Sequence, residues 1–170
     1  MENNIDLNKE ITFETFKKQV LEDYRIIVTS REASLLGRRE VLSGKAKFGI
    51  FGDGKELPQI ALAKVFQNGD FRSGYYRDQT FMMAIDELSV KQLFSGLYAN
   101  TDINEEPMSA GRQMGAHFNT PLLNTDGSWK KLINLKNSSS DVSCTGSQMP
   151  RLLGLAPVSY THLTLPTIYS

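Results

Sequence analysis

The stretch ELPQIALAKVFQNGDFRSGYYRDQTFMMAID, residues 56–86, decides the predicted fold. Glu56 to Gln67 has a helical pattern, and the turn-forming Asn68-Gly69-Asp70 ends it. Phe71 to Tyr76 suits a buried strand, and Gln79 to Asp86 is helical again. Helix, strand and helix in this order predict an α/β fold, in which a parallel sheet is flanked by helices.

Further helices are predicted on both sides of this stretch. Upstream, Thr12 to about Ser43 predicts one long amino-terminal packing helix, ended by Gly44. Downstream, Ser89 to Ala99 predicts a helix that Ser89 caps. The apolar residues of the long helix that recur mostly at intervals of three, four and seven, and are expected to face the core, are Phe13, Phe16, Val20, Tyr24, Ile27, Val28, Leu35 and Leu42.

After Asn100 the regular patterns fade. Thr101 to Gly127 is rich in Asn, Thr, Gly, Pro and Asp, which predicts a long loop. Loops of this length in compact domains are mostly functional or disordered, so a site is expected here. Trp129 to Leu135 is compatible with a returning strand, and Asn137 to Asp141 predicts a turn.

Composition excludes several classes of protein. With 19 basic and 19 acidic residues in 170, the net charge is zero, so no global field favours nucleic acid or a membrane surface. No apolar run approaches the roughly 20 residues of a membrane helix, and the polar start is unlike a signal peptide, so a cytoplasmic location is expected. Cys144 is the only cysteine, which excludes a disulfide framework, and a core-facing thiol is expected.

Three clusters carry candidate chemistry. Tyr75-Tyr76-Arg77-Asp78 offers a hydroxyl and a guanidinium to a phosphate, although Arg77 and Asp78 could instead form a structural ion pair. Gly111 to Phe118 includes His117, which can exchange protons near neutral pH or serve only as a structural histidine. Ser143 to Pro150 presents hydroxyls and amides to a polar ligand, or is a simple capping turn.

In this order and spacing, the three clusters resemble the alpha part of the decarboxylating component of branched-chain 2-oxo acid and pyruvate dehydrogenases. The resemblance runs from about Tyr24 to Ala156, and Gly111 to Phe118 is its most specific match. It implies an incomplete thiamine-diphosphate-binding fold in an amino-terminal fragment of the enzyme. The expected organisation is a helical segment at 1–43, a partial cofactor-binding domain at 44–156 and a non-native tail at 157–170.

The resemblance also implies roles for individual residues. Tyr76 and Arg77 would contact the diphosphate of the cofactor, and Ser143 and Thr145 would lie near its aminopyrimidine ring. His117 would border the active site. Two positions that help bind potassium in some members are matched by Ser147 and Gln148, but the other two are Val142 and Cys144, so a potassium site is not expected. The family often has a histidine where this chain has Ile50, and substrate preference is expected to differ accordingly.

The implied cofactors are thiamine diphosphate and magnesium. Gly52-Asp53-Gly54 imitates the start of the family's metal motif, but no matching asparagine follows on the order of 30 residues, or one βα unit, later. The metal motif is therefore expected beyond Ala156. The implied partners are the beta part of the same enzyme, separate or fused, a lipoyl-bearing acyltransferase and a small 2-oxo acid.

Two alternatives stay open for the function. One is another thiamine-dependent enzyme, such as an acetoin-cleaving dehydrogenase, and the other is a non-catalytic phosphate-binding module. Residues 157–170 contain no Lys, Arg, Asp or Glu and fit no helix or strand period well. They resemble translated sequencing-adapter sequence, the alternative being an ordinary unstructured tail.

Overall fold

The computed structural model describes residues 11–168. The predicted α/β fold, with a long amino-terminal helix and parallel strands flanked by helices, is confirmed, although the sheet has only two strands. The elements are α1 (Phe13–Leu42), α2 (Glu56–Ala63), β1 (Phe71–Ser73), α3 (Gln79–Ala84), α4 (Val90–Leu97), β2 (Asn137–Ser139) and α5 (Gln148–Ile168). The strands pair with Phe71 opposite Asn137 and Ser73 opposite Ser139.

The second strand lies elsewhere than predicted. Trp129 to Leu135 contains a 3₁₀ turn, Leu132–Asn134, and an isolated bridge between Leu123 and Trp129, so the strand prediction there is wrong. The residues that pair with β1 are Asn137–Ser139, which were predicted as a turn.

Asn137 explains why a polar segment forms a buried strand. Its side chain is inaccessible to solvent, and its amide nitrogen lies 2.8 Å from the carbonyl oxygens of Leu132 and Leu135 and 3.2 Å from that of Asp70. A buried amide is tolerated when its donors are paired. Asn137 therefore ties the 3₁₀ turn to both strands.

Helix α1 packs through residues other than the predicted ones. Most of its large apolar side chains are exposed, including Phe13 at 73% and Tyr24 at 64%. The buried residues of α1 are Ser30, Ala33, Ser34 and Gly37. Small side chains let neighbouring groups approach the helix axis closely, so they, and not the apolar stripe, determine where α1 contacts the other helices.

A buried polar network joins α1 to α3. Ser30 and Thr80 share a hydrogen bond of 2.6 Å between their hydroxyls. The side-chain nitrogen of Gln79 donates to the Ser34 hydroxyl at 2.7 Å and to the Ser30 carbonyl at 3.1 Å. The apolar core includes Phe81, Met82 and Met83 of α3, together with Leu93 of α4 and Ala33 of α1. Helix α3 is thus fixed both by polar contacts with α1 and by packing in the apolar core.

Helix α4 begins with a capping box at Ser89, the residue that the sequence predicts as its cap. The Ser89 hydroxyl accepts from the Gln92 main-chain nitrogen, and the Gln92 side chain accepts from the Ser89 main-chain nitrogen at 2.8 Å. Two otherwise unpaired donors of the first turn are thereby satisfied.

We expect Ser89→Ala to lower the free energy of unfolding by about 1 kcal/mol, the typical loss for an N-cap side chain. Chemical denaturation measures this change. Ser89→Asp restores a capping acceptor and should recover most of the loss, whereas equal losses in the two variants would contradict the capping role.

Helix α5 extends further than the sequence indicates. It continues through residues 157–168, so the expectation that this segment fits no helix is wrong. Once the turns that begin at Gln148 have formed, each added residue other than Pro157 and Pro166, which lack a main-chain N–H, contributes one hydrogen bond without a new nucleation cost. None of the helices in residues 11–168 combines the length and apolarity needed to cross a bilayer.

Candidate functional site

Three segments meet at one edge of the parallel strand pair. β1 leads into Tyr75-Tyr76-Arg77, and β2 leads into Asp141 and the Ser143 turn. The loop around Phe118 joins them, because the Asp141 nitrogen donates to the Phe118 carbonyl at 3.0 Å. Parallel strands place their carboxyl ends at the same edge, which is where α/β folds gather ligand-binding residues.

The five site residues that the resemblance implies come together at this edge. His117 Nε2 lies 2.6 Å from Ser143 Oγ, and the His117 ring stacks on Tyr76 with centroids 6.0 Å apart. The Tyr75 hydroxyl donates to the Tyr76 hydroxyl at 2.6 Å and lies 3.3 Å from Thr145 Oγ1. Tyr75 therefore connects Tyr76 to Thr145. The Arg77 guanidinium lies 5.4 Å from the Tyr76 ring centroid.

His117 is held in one orientation. Its ring is buried, and Nδ1 lies 3.1 Å from the Met114 carbonyl and 3.3 Å from the Gly115 carbonyl. Carbonyl oxygens only accept, so neutral His117 carries its proton on Nδ1, and Nε2 accepts from the Ser143 hydroxyl. No carboxylate of the described residues orients the ring, unlike the histidine of a Ser-His-Asp triad. The His117–Ser143 pair can therefore hold or pass a proton at Nε2.

The two tyrosines differ in how firmly they hold their protons. Hydrogen bonding from Thr145, and then from Tyr76, lowers the pKa of Tyr75. The same tyrosine–tyrosine bond raises the pKa of Tyr76. Because the Tyr75 hydroxyl donates to the Tyr76 hydroxyl, the Tyr76 proton is left to donate to an anionic ligand.

Arg77 is available to bind an anion. Within residues 11–168 its guanidinium makes no ion pair, and Asp78 pairs with Arg72 instead, so the alternative of an Arg77–Asp78 pair is wrong. Arg77 lines a surface pocket of about 410 Å³ together with Arg38 and Lys55. Three cations around one pocket favour an anionic ligand, although Asp53 neutralises Arg38 through an ion pair.

Sequence reasoning missed Arg72, which is buried beneath this site. It lies in β1 and forms ion pairs with Asp78 at 3.0 Å and Asp141 at 3.1 Å. Burial raises the pKa of the Asp141 carboxyl, while the Arg72 charge opposes that rise. The signal in the sequence was a single arginine inside a predicted buried strand, because a buried charge requires a partner.

Glu106 organises the first part of the long loop. It is buried, and its carboxylate accepts from the main-chain nitrogens of Met108, Ser109 and Gly111 at 2.9 to 3.0 Å. A carboxylate with several main-chain donors fixes local backbone geometry. The loop that carries His117 thus has internal structure that its composition did not predict.

The turn after Val142 differs from expectation at Cys144, which is exposed and does not face the core. The predicted burial fails because the Ser143–Gly146 segment lies on the surface. Ser147 donates to the Cys144 carbonyl at 2.6 Å, and Gln148 donates to the Val142 carbonyl at 3.2 Å, so both side chains stabilise the start of α5.

The part of the chain that the structure describes has no group of three His, Cys, Asp or Glu residues suited to a metal ion.

No protein-family model matches the chain, and no curated protein matches it. Functional inference therefore rests on the residues that meet at the edge of the strand pair.

Proposed function

We propose that this chain is the amino-terminal part of a thiamine-diphosphate-dependent enzyme that oxidatively decarboxylates a 2-oxo acid and transfers the acyl group to a lipoyl carrier. The observation that carries the proposal is the convergence of three segments that are far apart in sequence. Tyr76, His117 and Ser143 lie in contact, with Arg77 and Thr145 beside them. Of these positions, the family resemblance assigns Tyr76, Arg77, Ser143 and Thr145 to cofactor binding and places His117 at the border of the active site.

The residues present suit the diphosphate part of the cofactor. Arg77 offers a planar set of donors with no carboxylate competing for them among the described residues, and the Tyr76 hydroxyl, which accepts from Tyr75, has its own proton to donate. Ser143 and Thr145 add hydroxyls next to His117 and Tyr75. The site therefore has an anion-binding half and a hydroxyl-bearing half, as a ligand with a diphosphate and a polar ring requires.

Each half would contribute differently to the reaction. Thiamine diphosphate, when bound, supplies the ring that absorbs the electron pair left by decarboxylation. Arg77 and Tyr76 would orient the diphosphate, and the Nε2 atom of His117 would hold or accept a proton at the edge of the site. The neighbouring cationic pocket of about 410 Å³ has room for the carboxylate of a small acid.

The complete enzyme would require further components. Magnesium would be held by a motif beyond Ala156, and the beta part and a lipoyl-bearing acyltransferase would complete the site and take the acyl group. An acetoin-cleaving enzyme would use the same cofactor site with another substrate. A non-catalytic phosphate-binding module would use Tyr76 and Arg77 alone.

We expect Arg77→Ala in the intact enzyme to weaken thiamine diphosphate binding by about 2 to 3 kcal/mol, the loss expected for charge-assisted contacts to an anion. This equals roughly a 30- to 150-fold rise in Kd. Calorimetric titration measures it, and Arg25→Ala, on the exposed part of α1, should leave the affinity unchanged.

Two results would count against the proposal. A folded Arg77→Ala protein with unchanged affinity would remove Arg77 from the site. Equal affinity of the parent protein for thiamine diphosphate and inorganic pyrophosphate, without decarboxylation of pyruvate or branched-chain 2-oxo acids, would favour the phosphate-binding module.

A further inference from the structure

One guanidinium nitrogen connects the two halves of the site. Arg72 Nη2 donates to Oδ2 of Asp78 at 3.0 Å and to Oδ2 of Asp141 at 3.1 Å. Asp78 directly follows Arg77, and Asp141 lies two residues before Ser143. The two carboxylates therefore belong to the two segments that carry the site, and the same atom holds both.

Each of these carboxylates also fixes the main chain of a site segment. The Asp78 Oδ2 atom accepts from the main-chain nitrogen of Tyr75 at 2.9 Å. The Asp141 Oδ2 atom accepts from the main-chain nitrogen of Phe118 at 3.1 Å, one residue after His117. Both halves of the site are thus attached to Arg72 through one intermediate carboxylate each.

The surroundings keep the Arg72 guanidinium in place. Its central carbon lies 5.8 Å from the ring centroids of both Phe81 and Phe118, and its side chain is 8% exposed. Gly74 leaves the necessary space, because a Cβ atom at that position would overlap the guanidinium. These contacts enclose the guanidinium between two rings and the Gly74 main chain, next to both carboxylates.

We propose that Arg72 is a positioning residue that sets the spacing between the Tyr75–Arg77 half and the His117–Ser143 half of the site. The identity of the ligand rests on the proposed function, but the role of Arg72 in setting the distance between the two halves does not. Lysine is not equivalent to arginine here, because one ammonium nitrogen would have to replace two guanidinium nitrogens: Nη2, which reaches Asp78 and Asp141, and Nη1, which reaches Ser138.

The test uses Arg72→Lys in the full chain, with two measurements. The first is calorimetric titration with inorganic pyrophosphate, for which we expect Kd to rise by about tenfold or more, the effect of about 1.4 kcal/mol. The second is the ¹⁵N chemical shifts of the His117 ring, assigned with a His162→Gln background because the chain has two histidines. We expect the single Nδ1–H tautomer of the parent to become a mixture.

A core variant separates positioning from general stability. Ile60 of α2 is buried, and Ile60→Ala should destabilise the protein while leaving both the pyrophosphate affinity and the His117 ring shifts unchanged. Unchanged shifts and affinity in Arg72→Lys would overturn the proposal. The same changes in Ile60→Ala would also overturn it, since they would then follow from stability alone.

A milder variant covers the case in which Arg72→Lys does not fold. Asp78→Asn removes the charge that anchors the tyrosine half and leaves Asp141 in place. We expect weaker pyrophosphate binding with an unchanged His117 ring, and any other combination contradicts the proposal. If the parent protein does not bind pyrophosphate, the proposed function fails, while the His117 shifts of Arg72→Lys still decide whether Arg72 positions that half.

Discussion

Acidification from pH 4.5 to pH 2 is expected to remove up to about 3 kcal/mol of stability through Glu56 alone, at 1.36 kcal/mol per unit of pKa difference. Glu56 is buried, and its carboxylate pairs with Arg31 through contacts of 2.6 and 2.8 Å. The hydrogen bond from Arg31 is the main cause that lowers the pKa of Glu56 from 4.5 to about 2. Since the folded pKa is the lower one, this stability is present above pH 4.5 and lost as the pH falls through 2.

The measurement is the free energy of unfolding by urea across this pH range. In Glu56→Gln the protein should be less stable at neutral pH, and the part of the pH dependence that Glu56 supplies should disappear. Glu22→Gln, on the exposed part of α1, should retain the pH dependence of the parent. A Glu56→Gln protein with the pH dependence of the parent would show that the Arg31–Glu56 pair does not contribute in this way.

Gly52→Ala is expected to lower the free energy of unfolding by about 2 to 3 kcal/mol, the upper part of the range for inserting a group into a packed site. A Cβ atom at Gly52 would overlap the main-chain oxygen of Arg77. That oxygen also accepts from the Gln59 side chain at 3.0 Å, so a shift of the Arg77 main chain away from the new side chain would weaken this hydrogen bond. The variant should also displace Arg77 and weaken anion binding.

Gly154→Ala is the matched control for this prediction. Gly154 lies in α5, and nothing lies within 4 Å of a Cβ atom built there. Alanine has the higher helix propensity, so this variant should be neutral or stabilising by up to about 1 kcal/mol. Thermal unfolding of both variants provides the comparison, and a Gly52→Ala protein as stable as the parent would contradict the close approach to Arg77.

The sequence predicts those elements whose formation depends on local pattern. Ser89 and Gln92 form a capping box through residues three apart, and Gly44 ends α1 with a φ of 77°. In contrast, β2 consists of Asn137–Ser139, and it is stabilised by carbonyl acceptors on Asp70 and on a preceding turn. A strand that depends on such distant partners has no alternating apolar pattern to reveal it.

In the candidate site, too, residues with a local sequence signal were predicted, and residues that depend on distant partners were not. Tyr76, Arg77 and His117 were identified because their side chains are chemically distinctive and lie in short clusters. Arg72 and Asp141 were not identified, because what marks them is the ion pair between them. Arg72 lies in β1 and Asp141 follows β2, so the two residues are far apart in the sequence. The prediction that the apolar residues of α1 face the core was likewise wrong, because the buried residues of α1 are small ones such as Ser30 and Gly37.

The parallel pairing of β1 with β2 has a consequence for the order of events in folding. The two strands are separated in the chain by α3, α4 and the long loop, so their pairing closes a large loop and carries its entropy cost. Contacts of high sequence separation form slowly, whereas the helices and the Ser89 cap need only near neighbours. We therefore expect partly folded chains to contain helices but no binding site, and ligand affinity to appear only in the final, slowest kinetic phase.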